Sequence, residues 1–120
     1  MARTILTVDD SASMREMVRA TLTAAGYEVV EAVDGQEALD FARENPCDLV
    51  ISDINMPRMD GITLVHELRN LPSYRLTPLL LLTTESSAER KLEGKRAGAT
   101  GWIVKPFNPE QLLATMARVL

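Results

Sequence analysis

Leu49-Val50-Ile51-Ser52-Asp53-Ile54-Asn55-Met56-Pro57 decides how this chain is read. Its apolar start, bounded by Pro46 behind and Pro57 ahead, predicts a buried strand. An unpaired ionised carboxylate is too costly to bury inside a sheet. Asp53 is therefore expected at the strand's carboxyl end. In an open parallel sheet that edge is where ligands bind.

Working outward, four further apolar runs share the pattern of strand followed by helix. Thr4–Val8 precedes Asp9 and Asp10, and a helix follows with Met14, Met17, Val18, Leu22 and Ala25 at helical spacing. Ser13 and Glu16 form an expected capping box, the two methionines are expected as core filler, and Gly26 closes the helix. Glu28–Ala32 is a second strand, and Asp34-Gly35 opens a helix bearing Ala38, Leu39 and Ala42. Beyond the central strand, Asp60 caps a helix with Ile62, Val65 and Leu68 on one face. Leu79–Thr83 is the fourth strand, with Ser86 and Glu89 expected to box the next helix and Gly98 to end it. That helix has few apolar anchors (Ala88, Leu92, Ala97) and an internal Gly94, so it is expected to be weakly held. Trp102-Ile103-Val104 is the fifth strand, and Asn108 with Pro109 starts the last helix, with Leu112, Leu113 and Met116 inward.

Five strand–helix alternations predict an α/β fold, a doubly wound parallel sheet with helices on both faces. By analogy with known sheets of this size, the expected strand order is the flavodoxin-like 2-1-3-4-5. The 120 residues are expected to form one domain.

Composition excludes several functions. A net charge of −4 and a pI near 5.0 argue against nucleic-acid binding through bulk charge. No apolar run is long enough to span a bilayer, and Asp9-Asp10 interrupts the apolar start, so no signal peptide is expected. The one cysteine, Cys47, reads as a small buried filler in a cytoplasmic protein. His66, the one histidine, reads as a surface residue.

All strand ends of a parallel sheet share an edge. There the sequence places Asp9, Asp10, Asp53, Thr83 and Lys105. Clustered carboxylates repel, and a divalent cation relieves them; oxygen donors without His or Cys favour Mg²⁺. Mg²⁺ commonly also takes an oxygen from a phosphate. Asp53 is the candidate nucleophile for an acyl phosphate. Asp10 and Asp9 are the candidate metal ligands. Thr83 is positioned to donate to a phosphoryl oxygen, and Lys105 adds the fixed positive charge that phosphoryl transfer needs.

These residues resemble the receiver domain of two-component response regulators from end to end of the chain. Asp53-Ile54-Asn55-Met56-Pro57 with Met59-Asp60-Gly61 is similar to the family's phosphoacceptor strand and loop. Asp9-Asp10, Thr83-Thr84 and Lys105-Pro106-Phe107 are similar to its acidic pair, switch threonine and lysine-proline motif. The resemblance implies a main-chain carbonyl of Asn55 as a further Mg²⁺ ligand and a cis bond before Pro106. It implies that Asn55 and Glu85 tune acyl-phosphate hydrolysis. Such a domain catalyses only its own phosphorylation and dephosphorylation, and is not otherwise an enzyme.

The absence of an output domain in these 120 residues makes the chain similar to the family's single-domain chemotaxis regulators. That implies a CheA-type histidine kinase as donor, the flagellar motor switch or another signalling protein as target, and a phosphatase as a further partner. The alternative is a stand-alone receiver in a non-chemotaxis phosphorelay. One departure stands out: Trp102 occupies the place of the switch aromatic, usually Tyr or Phe. It is expected to act in switching or as an exposed partner anchor.

Two other chemistries fit less well. A Mg²⁺-dependent phosphatase of the haloacid dehalogenase type needs an acid two residues after the nucleophile, where Asn55 stands. A flavin-binding domain would place its phosphate on a turn that here carries acidic residues.

Overall fold

The computed structural model describes residues 2–120. Strands β1 (Thr4–Val8), β2 (Glu28–Ala32), β3 (Leu49–Ser52), β4 (Leu79–Thr83) and β5 (Gly101–Val104) alternate with helices. These are α1 (Ala12–Ala24), α2 (Gly35–Glu44), α3 (Gly61–Arg69), α4 (Ala88–Ala97) and α5 (Pro109–Val119). The strands form one parallel sheet in the order β2-β1-β3-β4-β5, as expected.

Successive side chains on a strand point to opposite faces. Leu6, Val8, Val50, Leu79 and Leu81 join one core with α2 and α3. Ile5, Leu49, Ile51, Leu80 and Leu82 join a second core with Val18 and Leu22 of α1 and Leu112 and Met116 of α5. The central strands are therefore apolar at nearly every position, because both faces are covered. Cys47 is buried, as expected, and His66 is exposed.

Three local expectations need correction. The cap of α1 is Ser11, not Ser13: its hydroxyl accepts from the Met14 amide. Asp9 Oδ1 accepts from the Ser11 amide at 2.9 Å, which turns the chain into the helix two residues early. Ser87, not Ser86, caps α4 by accepting from the Arg90 amide, leaving Glu89 in the first turn. Met17 is 55% exposed, whereas Met14 packs on the core. Only one of the two methionines is filler.

Helix α4 is held differently from the expected pattern. Ala88 and Leu92 face solvent, and the residue it buries is Gly94. A Cβ there would press on Leu81 and the Trp102 ring at 3.0 Å, so the missing side chain is what lets the helix approach the sheet. Its far end is fixed by Arg69. That guanidinium donates to the carbonyls of Gly98, Tyr74 and Thr77 at 2.7–2.9 Å, bridging α4 to the segment before β4. With Leu112 and Met116 fully buried, α5 has the firmer anchorage. Amide exchange measured by NMR is expected to be faster in α4 than in α5, and equal protection would contradict this.

Candidate functional site

Register brings the strand ends together. Val8 pairs with Ser52 and Thr83 with Val104, so Asp9 and Asp53 leave adjacent strands side by side, and Lys105 emerges next to Thr83. The Asp53 amide donates to the Val8 carbonyl at 2.9 Å, and the Lys105 amide to the Thr83 carbonyl at 2.8 Å. Order reverses at β1 and β3, since the chain moves to one side of β1 first and then to the other. The two carboxylates stand at this switch point.

Carboxylate oxygens of Asp9, Asp10 and Asp53 all lie within 4.8 Å of one another. Asp9 and Asp53 are buried and Asp10 is exposed. Lys105 Nζ reaches Asp9 Oδ2 at 2.8 Å and Asp53 Oδ2 at 3.5 Å, with 10% of its side chain accessible. One ammonium cannot balance three carboxylates. The donor set is all oxygen, which fits a hard divalent cation such as Mg²⁺. Asp10, the exposed member, has the freest approach; Asp9 already accepts from Ser11 and Lys105.

Burial pushes the Asp53 carboxyl above the ordinary Asp value. The bond that Ile54 N–H donates to Asp53 Oδ1 at 2.8 Å pulls it back, as does the Lys105 ammonium, while Asp9 adds to the rise. Asp53 is thus poised as a desolvated carboxylate beside a fixed cation.

Thr83 is fully buried and its hydroxyl accepts from the Glu85 amide at 3.1 Å. The Glu85 carbonyl accepts from the indole N–H of Trp102 at 3.0 Å. A chain of hydrogen bonds therefore runs from Thr83 through the Glu85 backbone to Trp102. Trp102 is half-buried against the core, not an exposed anchor: its ring fills the space that Gly94 leaves. Asn55 is exposed on the loop after β3, and the Lys105–Pro106 peptide is cis.

Two basic residues at the site escape the sequence reading. Arg15 donates to the Asp9 carbonyl at 2.7 Å while pairing with Glu31 at 3.3 Å, which braces the acidic turn from α1. Arg58 pairs with Asp34 across 24 positions. Neither has a local signature, because each partner lies on a different element.

The sequence matches the response regulator receiver domain over residues 5–117. The chain belongs to this family. It is 55% identical to the chemotaxis protein CheY4 of Vibrio cholerae, with a TM-score of 0.95 and all of both chains covered. It is 41% identical to the response regulator MprA of Mycobacterium sp. (strain KMS), over 97% of this chain and 50% of that protein. The chain spans about half the length of the curated relatives it matches. A receiver domain of a sensor histidine kinase from Pseudomonas aeruginosa PAO1 is 26% identical, with a TM-score of 0.91 and 98% and 97% of the two chains covered. That structure has a magnesium ion coordinated in its active-site cleft. Receiver domains are signalling proteins that bind Mg²⁺ at an acidic pocket and interact with histidine kinases and downstream targets. Asp9, Asp10 and Asp53 give this chain a cluster of acidic side chains that could hold a metal ion.

Among the described residues, no helix is long and apolar enough to cross a membrane.

Proposed function

We propose that this receiver is a phosphorylation switch in which Asp53 accepts a phosphoryl group from a histidine kinase. The observation that carries this reading is Lys105 Nζ lying between Asp9 and Asp53 at 2.8 and 3.5 Å, beside an all-oxygen carboxylate cluster. An Asp53 carboxylate oxygen attacks the phosphorus of phosphohistidine; the P–O bond forms as the P–N bond breaks, and the imidazole leaves with the electron pair. Lys105 holds positive charge against the incoming phosphoryl oxygens, and the Thr83 hydroxyl turns from the Glu85 amide to donate to one of them. Bound at Asp9, Asp10, Asp53 and the Asn55 carbonyl, Mg²⁺ would supply charge neutralisation for the transferring group. Asn55 and Glu85 border the site and tune hydrolysis.

Movement of Thr83 passes to Trp102 through the Glu85 backbone. The cleft between α4 and β5, about 270 Å³ and lined by Lys91, Lys95 and Trp102, would change shape with it. It is basic in an acidic protein and suits docking of an acidic partner segment.

Likeness to CheY4 at 55% identity, with Asn55 and Glu85, favours a chemotaxis regulator served by a CheA-type kinase and acting on a flagellar motor switch. The curated relatives, about twice as long, favour a second reading: the receiver of a larger regulator. Pull-down of the phosphorylated chain against motor-switch protein and against a DNA-binding output domain separates the two.

The decisive test of the switch itself is intact mass after incubation with a small-molecule phosphodonor, with and without Mg²⁺. One hydroxylamine-labile phosphoryl adduct, formed only with Mg²⁺, is expected; absence of any adduct, together with failure to bind beryllofluoride, would overturn the reading. Lys105→Met is expected to slow adduct formation about 100-fold, in the range for losing one charge-stabilising donor. The same change makes the cluster more negative, so Mg²⁺ should bind at least as tightly. A variant that binds Mg²⁺ weakly instead would show Lys105 to be mainly a scaffold.

A further inference from the structure

The loop between Asp53 and α3 contains a strained turn. The Met59 amide donates to the Pro57 carbonyl at 2.7 Å, which closes a three-residue turn on Arg58. Arg58 has a φ of +66°, and among the described residues it is the non-glycine with positive φ. Tight turns of this kind are rare and strained, and such backbone persists only where its surroundings hold it.

Two contacts supply the hold, one from the cap residue of α2 and one from its first residue. Arg58 grips Asp34 as a fork, Nε to Oδ2 at 2.8 Å and a terminal nitrogen to Oδ1 at 3.1 Å. Asp34 is itself buried and fixed, because its Oδ1 also accepts from the Glu37 amide at 2.8 Å to cap the helix. Beside it, Gly35 lies so close to Met59 that a Cβ would collide with the Met59 carbonyl and side chain. Helix α2 is anchored by Ala38, Leu39 and Ala42 in the core, so the helix is the fixed part and the loop is the part held. The other end of the loop leads directly to the chemistry. The Gly61 amide donates to the Ile54 carbonyl at 2.9 Å, and the Ile54 amide donates to Asp53 Oδ1 at 2.8 Å.

We infer that the Arg58–Asp34 pair is a positioning clamp, which fixes the loop from Asn55 to Met59 against α2 and so sets the affinity of the acidic cluster for a divalent cation. The inference rests on the phosphoacceptor reading for its consequence: a looser loop means weaker Mg²⁺ binding and slower phosphorylation of Asp53. Arg58 is largely exposed and touches neither metal nor phosphoryl group, so it acts through the backbone it holds.

The test uses Arg58→Met, which keeps the stem and loses the fork, and Asp34→Ser, which keeps a helix cap and loses the partner. Mg²⁺ affinity is read by titration calorimetry, and exchange of the Met59 and Gly61 amides by NMR in metal-free protein. A clamp predicts that both variants weaken Mg²⁺ binding three- to tenfold, that the double variant is no weaker than the worse single, and that both amides exchange about tenfold faster. Simple charge effects predict opposite signs, because Arg58→Met removes a positive charge near the metal and Asp34→Ser a negative one. Opposite shifts, or unchanged affinity and exchange in both variants, would overturn the clamp. If the wild-type chain binds no Mg²⁺, the phosphoacceptor reading falls, and amide exchange alone still decides whether the pair holds the loop.

Discussion

Asp53→Asn is expected to eliminate the phosphoryl adduct and at the same time to make the folded protein more stable. Loss of the adduct follows from chemistry: a neutral amide is no nucleophile toward phosphorus. The gain in stability follows from burial, which raises the carboxyl above its ordinary value. A carboxylate whose folded pKa lies above its unfolded value of about 3.9 costs stability when ionised. That cost is absent below the unfolded pKa, grows as pH rises through the folded one, and is complete at neutrality. Asn keeps an oxygen to accept from the Ile54 amide and removes the repulsion from Asp9, while Lys105 keeps its closer partner at 2.8 Å. Thermal unfolding in EDTA at neutral pH should therefore show a midpoint a few degrees higher than wild type, with the difference vanishing toward pH 3. Mg²⁺ should narrow the gap by stabilising the wild type more. A variant less stable than wild type at neutral pH would mean that Asp53 is held mainly by favourable pairing.

The second large effect is expected at Gly61. A Cβ there would fall onto the backbone carbonyl oxygen of Asp53 and against Ile54 Cα, neither of which can move aside without displacing the end of β3. Gly61→Ala should cost about 3 kcal/mol, the upper end for overpacking, and lower the midpoint by roughly 10 °C. What survives should take up phosphoryl at least tenfold more slowly, since Asp53 and the loop after it must shift. Gly101→Ala is the control: its Cβ meets only a Leu80 methyl at 2.9 Å, the end of a side chain that can turn away. Urea unfolding and the adduct-formation rate check both variants. Equal, small losses would mean that the loop after β3 yields more readily than its packing implies.

Much of this protein is legible along the chain because its decisive signals are local. Apolar runs such as Leu79–Thr83 and the helical spacing of Ala38, Leu39 and Ala42 are properties of consecutive residues, and both elements form as read. Asp9, Asp53, Thr83 and Lys105 could be placed at strand ends because a parallel sheet puts every such end on one edge. Strand order rested on analogy with known folds, not on pattern. Cap positions slipped where two serines compete: Ser11 prevails over Ser13 because Asp9 captures the Ser11 amide.

What only the tertiary structure decides is which charges meet. Lys105 sits closer to Asp9 than to Asp53, Arg58 finds Asp34, Arg15 braces the Asp9 carbonyl, and Arg69 gathers carbonyls from two segments. The indole of Trp102 turns inward because Gly94 leaves it room and the Glu85 carbonyl gives its N–H a partner. Hydrophobic periodicity is written residue by residue and survives any arrangement of the elements. A long polar side chain takes whichever partner the packed elements bring within about 3 Å, and that distance exists only after the sheet has formed.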